Sequence, residues 1–166
     1  MVQREMETGP LLIIWHSRTG TSEALAKAAK DGAGEAAIIL AAAEVEPADI
    51  LKASGYLFVC PENLASMSGC MKEMFDRCYY PVLGKIEGRA FATIIAAGSD
   101  GAGAQRQIDR IAKGWRLKRV FDHFIVNTDA QTAEAILASK VVSEDHLRTA
   151  RSLGEAFAEG IGQGIF

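Results

Sequence analysis

The chain predicts a doubly wound α/β fold: a five-stranded parallel sheet in the order 2-1-3-4-5 with helices on both faces. Two observations carry that expectation. Apolar, strand-length runs alternate strictly with helical patterns from residue 11 onward, giving five of each. Several runs are continuously apolar instead of alternating, as strands covered on both faces must be. At 166 residues, right-handed crossovers and this strand order are the usual solution.

The strands are expected at Leu11–His16, Ala37–Leu40, Tyr56–Cys60, Ala90–Ala97 and Phe124–Asn127. The helices are expected at Ser22–Lys30, Pro47–Ala53, Ser68–Tyr79, Ala104–Gly114 and Glu144–Gly160. Ser68 is placed to cap the third helix, whose Met71, Met74, Phe75 and Cys78 fall on one face, with Pro81 beyond its end. Ile108, Ile111 and Trp115 make a similar stripe on the fourth. Ser143, Glu144 and Asp145 form a good N-terminus for the last helix, with Leu147, Ala150, Phe157 and Ile161 facing inward. The connection Thr128–Val142 has no periodicity that fixes its course. Residues 1–10 read as a polar extension and 11–166 as one domain.

Bulk properties narrow the function classes. A formal charge of -3 and a pI near 5.6 give no basic field for nucleic acid. The three cysteines include no C-x-x-C pair and no metal spacing with histidine, so no metal site or disulfide framework is expected. Cys60 and Cys78 lie in apolar settings and read as buried thiols. No apolar run approaches the roughly 20 residues of a membrane span, and a cytoplasmic address is the default.

In a sheet of this order, ligands bind outside the carboxyl ends of the strands, at the switch between strands 1 and 3. The loops after strands 1, 3 and 4 therefore decide the function. The first, Ser17-Arg18-Thr19-Gly20-Thr21-Ser22, opens a helix with four hydroxyls and a glycine. The first backbone N–H groups of a helix lack partners inside it and carry partial positive charge, so this loop can hold a phosphate. It lacks the lysine of a nucleotide-triphosphatase P-loop and the three glycines of a dinucleotide fingerprint. An ordinary N-cap is the plain alternative.

This loop resembles the phosphate loop of flavodoxins, Ser/Thr-x-Thr-Gly-x-Ser/Thr, which holds the phosphate of FMN. The segment Pro61-Glu62-Asn63-Leu64-Ala65-Ser66-Met67-Ser68, followed by Gly69, Met71, Lys72, Phe75, Asp76 and Arg77, resembles the strand-3 loop and helix of flavodoxin-like NAD(P)H:quinone and FMN reductases. There a proline-initiated loop runs under the flavin ring. The resemblance covers the chain from Leu11 to about Trp115. It implies hydrogen bonds from Asn63 and Ser66 to the pyrimidine edge, and apolar ring contact from Leu64 and Met67. After strand 4, Gly98-Ser99-Asp100-Gly101 lets the backbone approach a flat ligand, although an Asx-turn explains Asp100 equally well.

Two departures matter. Arg18 introduces charge into a phosphate loop that is usually neutral; it can pair with the FMN phosphate, meet the phosphate of a nicotinamide nucleotide, or face solvent. Electron-carrying flavodoxins sandwich the ring between aromatic side chains, yet neither Pro61–Gly69 nor Gly98–Gly103 contains one. At least one flavin face is expected to be open unless a partner subunit covers it. The leading expectation is an FMN-dependent NAD(P)H oxidoreductase that reduces quinones or similar small acceptors, its two substrates taking turns on that face. The alternatives are a flavodoxin-type electron carrier and a flavin-binding module without activity. No catalytic side chain is nominated; His16 reads as a satisfied strand-end residue, and His123 and His146 as peripheral. Tyr79-Tyr80-Pro81, beside the methionine stripe, suggests a homodimer or homotetramer contact, against a plain core helix with surface tyrosines.

Overall fold

Leu11, Leu12, Ile13 and Ile14 are all buried to 1% exposure or less, because β1 (Leu11–Trp15) lies at the centre of a sheet covered on both sides. The computed structural model describes residues 7–166. β1 pairs in parallel with β2 (Ala37–Ala41) on one side and β3 (Gly55–Asn63) on the other. β3 pairs with β5 (Ala90–Ala97), which continues onto the short β6 (Lys118–Arg119) and onto β7 (Phe124–Asn127), all parallel. The core order is thus the expected 2-1-3-4-5. The sheet has seven strands because β6 precedes β7 beside β5, and because β3 grows a hairpin partner, β4 (Ser66–Met67).

The period-2 alternation of each strand feeds two separate cores. Leu12, Ile14, Tyr56, Phe58 and Cys60 face α2 (Pro47–Lys52), α3 (Gly69–Val82) and α4 (Ala102–Gly114). There Phe75 stands between Phe58 and Trp115, at ring-centroid distances of 4.9 and 5.2 Å. Leu11, Ile13, Leu57 and Val59 face α1 (Thr21–Ala33) and α6 (Glu144–Gly162). α1 and α6 approach closely: a Cβ on Gly154 would stand 2.0 Å from the Ala29 carbonyl oxygen.

Four expectations change on contact with the structure. The segment from Pro61 is not a free loop: β3 runs on to Asn63 and returns as β4, turning over Leu64 and Ala65. Both turn residues have positive φ, 52° and 61°, the requirement of a tight two-residue hairpin usually met by Asn-Gly. α3 does not stop before Pro81 but includes it, its end tightening so that Leu83 N–H reaches the Tyr80 carbonyl at 3.4 Å. Ser68 is the N-cap of α3, but its hydroxyl makes no capping hydrogen bond and is buried without a partner among the described residues. The methionines of the helix are buried as their spacing implies, and Tyr80 and Leu83 are exposed.

The fourth change is the connection after β7, which contains a helix, α5 (Ala133–Leu137). Thr132 caps it by accepting the Ala135 N–H at 3.1 Å. At its other end the Lys140 ammonium donates to the carbonyls of Ala135, Ile136 and Ala138, where the helix dipole is negative. No helix among the described residues is long and apolar enough to cross a membrane.

Candidate functional site

At the carboxyl ends of β1, β3, β5 and β7 lies a cleft of about 410 Å³, within the range of small-molecule and cofactor sites. Ser17, Arg18, Thr19, Thr21 and Ser22 form one wall, and Pro61, Glu62 and Asn63 the opposite one. Ala96, Ala97 and Gly98, at the end of β5, also line it, and Thr128, Ala130, Ile136, Leu137 and Lys140 complete the lining. No aromatic side chain among the described residues lines it.

The first wall is built around Gly20. Its φ of 106° puts it in the left-handed region, where a side chain would be strained, and it is the N-cap of α1. Its N–H is taken by the Ser17 hydroxyl at 3.0 Å, but no side chain caps the helix. The hydroxyls of Thr21 and Ser22 are 5% and 1% exposed as residues and have no hydrogen-bond partner. Buried polar atoms are ordinarily paired, so two orphaned hydroxyls beside a helix N-terminus mark a place for an acceptor-rich ligand. A phosphate supplies that chemistry, and the donor set fits it.

The second wall is organised differently. Glu62 turns its carboxylate onto the start of α4, accepting the Gly101 N–H at 2.9 Å and the Ala104 N–H at 3.1 Å. Gln107 of α4 accepts both the Ser66 hydroxyl at 2.7 Å and the Met67 N–H at 2.8 Å. The hairpin turn is pressed on the same helix: a Cβ on Gly103 would stand 2.2 Å from the Ala65 carbonyl oxygen. Hairpin and glycine loop are therefore one rigid body. Asn63 alone among the hairpin's polar side chains has no hydrogen bond among the described residues.

The nominated residues divide accordingly. Ser17, Arg18, Thr19, Thr21, Ser22, Pro61, Glu62, Asn63 and Gly98 line the cleft, with Gly20 shaping it from behind. Leu64 and Ala65 are exposed at the turn, Ser66 is bonded to Gln107, and Met67 and Ser68 are buried, Met67 in the α3–α4 core. In the glycine loop Asp100 accepts the Ala102 N–H at 3.2 Å, an Asx-turn, and Ser99 offers its carbonyl to Asn127 at 2.8 Å. Gly101 packs on Ile125, 2.5 Å from where its Cβ would be. Ser99, Asp100 and Gly101 do not line the cleft.

Sequence reading missed the α5 side. Lys140 N–H donates to the Thr19 carbonyl at 2.8 Å, which docks the segment onto the Ser17–Ser22 loop. Gln131 reaches the Gly98 carbonyl at 3.3 Å. The available signal was Thr132 as a cap with Lys140 three residues past the helix end.

Electrostatics near the cleft set two groups apart from their ordinary behaviour. Burial, helped by the Arg18 charge, lowers the pKa of His16, whose Nδ1 is buried without a partner. Burial pushes the Cys60 thiol up to about 12, so it is inert as a nucleophile.

Comparison with known proteins agrees with this geometry. Residues 41–131 match the family of NADPH-dependent FMN reductases, a stretch that holds the hairpin, the glycine loop and the start of the α5 segment. A flavodoxin of Aquifex aeolicus (strain VF5) is 25% identical over 162 residues, covering 92% of this chain and 87% of that protein. Among solved structures, a WrbA-like flavodoxin from Agrobacterium tumefaciens superposes with a TM-score of 0.73 at 19% identity, covering 94% and 99% of the two chains. A flavodoxin from the domain Archaea does so with a TM-score of 0.72 at 14% identity, covering 92% and 99%. With more than half of its length matched by the family and a flavodoxin-like fold throughout, the chain belongs to the NADPH-dependent FMN reductases and is an FMN-binding flavoprotein.

Proposed function

We propose that the protein is an NAD(P)H-dependent oxidoreductase that passes two electrons to a small planar acceptor such as a quinone, with FMN held in the cleft between Ser17–Ser22 and Pro61–Asn63. The carrying observation is the pair of orphaned hydroxyls at the start of α1 in a cleft without aromatic walls. Thr21 and Ser22, with the free N–H groups of the first turn, hold the phosphate. Arg18 is exposed at the rim with no ion-pair partner among the described residues, and offers charge to that phosphate or to one on an incoming nucleotide. Asn63 supplies a free side-chain amide for the polar edge of the ring system. Bound FMN supplies the hydride and electron chemistry itself. The protein binds, orients and leaves one side accessible, and no side chain is assigned as acid or base.

Anaerobic addition of NADPH or NADH to the FMN-loaded protein tests the reading: bleaching of the flavin absorbance is expected. Initial rates at several quinone concentrations should give parallel lines, because donor and acceptor use one opening in turn. Intersecting lines would show both substrates bound together and refute the shared opening. A second reading, an electron carrier without its own hydride donor, draws support from the flavodoxin relative. It predicts a yellow protein that neither nucleotide bleaches.

A further inference from the structure

Residues 102–119, which are α4 and the turn into β6, hold six of the chain's 18 lysines and arginines and one of its 21 acidic residues. The acidic one, Asp109, is engaged by Arg119 at 2.6 Å and His123 at 3.1 Å. Arg119 is further tied to Thr93 and stacked on Phe91. The other five, Arg106, Arg110, Lys113, Arg116 and Lys118, are exposed and make no ion pair or side-chain hydrogen bond among the described residues. Elsewhere cations are mostly committed: to carboxylates at Lys27, Lys72, Arg77, Arg148 and Arg151, and to carbonyls at Lys30, Arg89 and Lys140.

Arg106, Arg110 and Lys113 recur at i, i+4 and i+7, so they form one stripe about 10 Å long at 1.5 Å per residue. The stripe begins beside Gln107, the residue that pins the hairpin wall of the cleft. Along its flank runs a groove of about 210 Å³ between α3 and α4, with Phe75, Tyr79, Ile111 and Trp115 in its lining and the Lys72–Asp76 ion pair, its carboxylate already neutralised, on the α3 side. A concentrated charge of one sign with an apolar slot alongside has the make-up of a protein interface: charge steers the encounter, and an aromatic or aliphatic anchor fills the slot.

We propose that this face of α4 is a docking surface for an acidic protein, seated next to the cleft mouth. Charge complementarity selects that occupant. A chain of net charge -3, with most of the uncommitted positive charge of its described residues on this face, repels a long polyanion beyond that face. The outward positions of α4 carry no exposed apolar side chain to enter a lipid surface, as interfacial helices do. The proposal does not depend on the cofactor assignment, since the stripe lies outside the cleft.

Binding of a small acidic [2Fe–2S] ferredoxin, used as a probe, to the FMN-loaded protein tests it. Saturable binding at 20 mM salt is expected, weakening at least tenfold by 200 mM. The triple variant R106E/R110E/K113E should lose at least another tenfold while its FMN titration is unchanged, and the milder R110Q/K113Q should fall between. Equal binding of the triple variant, or no saturable binding of the probe at 20 mM salt, overturns the proposal. So does tighter, stripe-dependent binding of duplex DNA or of phosphatidylserine vesicles, which would assign the face to nucleic acid or membrane.

Discussion

Beside β1, the hydroxyls of Thr21 and Ser22 are buried with no partner. Across the same cleft, both oxygens of Glu62 and the hydroxyl of Ser66 are bonded to α4. Both walls are rich in polar groups, but the first leaves its two buried hydroxyls without partners. The second engages its groups except for the Asn63 amide and the buried Ser68 hydroxyl among the described residues. An orphaned buried hydroxyl costs about 1–3 kcal/mol, a cost that a ligand removes when it binds. Satisfied groups instead hold the wall in shape. On the proposed reading the two walls divide the work: one recognises, the other positions.

The sharpest way to break that division is through the positioning wall. Gly103→Ala would place a methyl group 2.2 Å from the Ala65 carbonyl, forcing hairpin and α4 apart. A loss of about 3 kcal/mol is expected from such overpacking, with FMN affinity falling as well. Gly154→Ala meets the Ala29 carbonyl at 2.0 Å, on the far side of the sheet. It should cost comparable stability in chemical denaturation yet leave FMN affinity of the folded protein intact. If both variants bind FMN equally well, the hairpin does not position the cofactor.

Glu62→Ala removes two carboxylate hydrogen bonds to backbone N–H groups. At roughly 1.5–3 kcal/mol per charged bond, less what water recovers, it should destabilise by about 2 kcal/mol. FMN affinity should change by less than tenfold. The recognition wall should respond in the opposite sense. Ser22→Ala deletes an orphan, so the apo protein should keep or gain stability while FMN binding weakens by about 1–3 kcal/mol, at least several-fold. A drop in apo stability with unchanged FMN titration would show that Ser22 is only a core residue.

The contrast also explains what was legible in the sequence. The sheet order could be read because Leu11–Ile14, Tyr56–Cys60 and Ala90–Ala97 are continuous apolar runs, and burial on both faces needs nothing else. Ser17–Ser22 could be read as a candidate anion site because its chemistry is local: the hydroxyls, the glycine and the helix start are neighbours in the chain. The hairpin could not. Pro61, Glu62 and Asn63 read as breakers, and Leu64-Ala65 carries none of the Asn-Gly chemistry that announces a two-residue turn. What holds it is distant: Gln107 of α4 accepts from Ser66 and Met67, and Glu62 accepts from the start of α4, each across about 40 residues. α5 is five residues long, too short for periodicity to reveal, and its place depends on Lys140 N–H meeting Thr19.

A smaller effect is expected at that contact. Lys140→Ala leaves the backbone bond to Thr19 but frees the carbonyls at the end of α5. Hydrogen exchange in Ala133–Leu137 should quicken, with a stability loss near 1 kcal/mol. Unchanged exchange would mean that the ammonium does not hold the helix.

The smallest expected effect concerns His16, between β1 and the phosphate loop, whose backbone N–H donates to Val59 at 3.0 Å while its Nδ1 has no partner. Burial first, and the Arg18 charge second, hold its pKa below the ordinary value of 6.5. The unfolded chain therefore takes up a proton at a pH where the folded protein still resists one. Stability is fully present above pH 6.5 and declines as pH falls from there toward the lower folded value, where the loss levels off. His16→Gln should remove this component of the slope between pH 7 and 5 in urea titrations. Arg18→Gln should reduce the component without abolishing it, since burial is the larger cause. An unchanged slope in His16→Gln would place the imidazole in water, and with it the end of β1 that orients the phosphate loop.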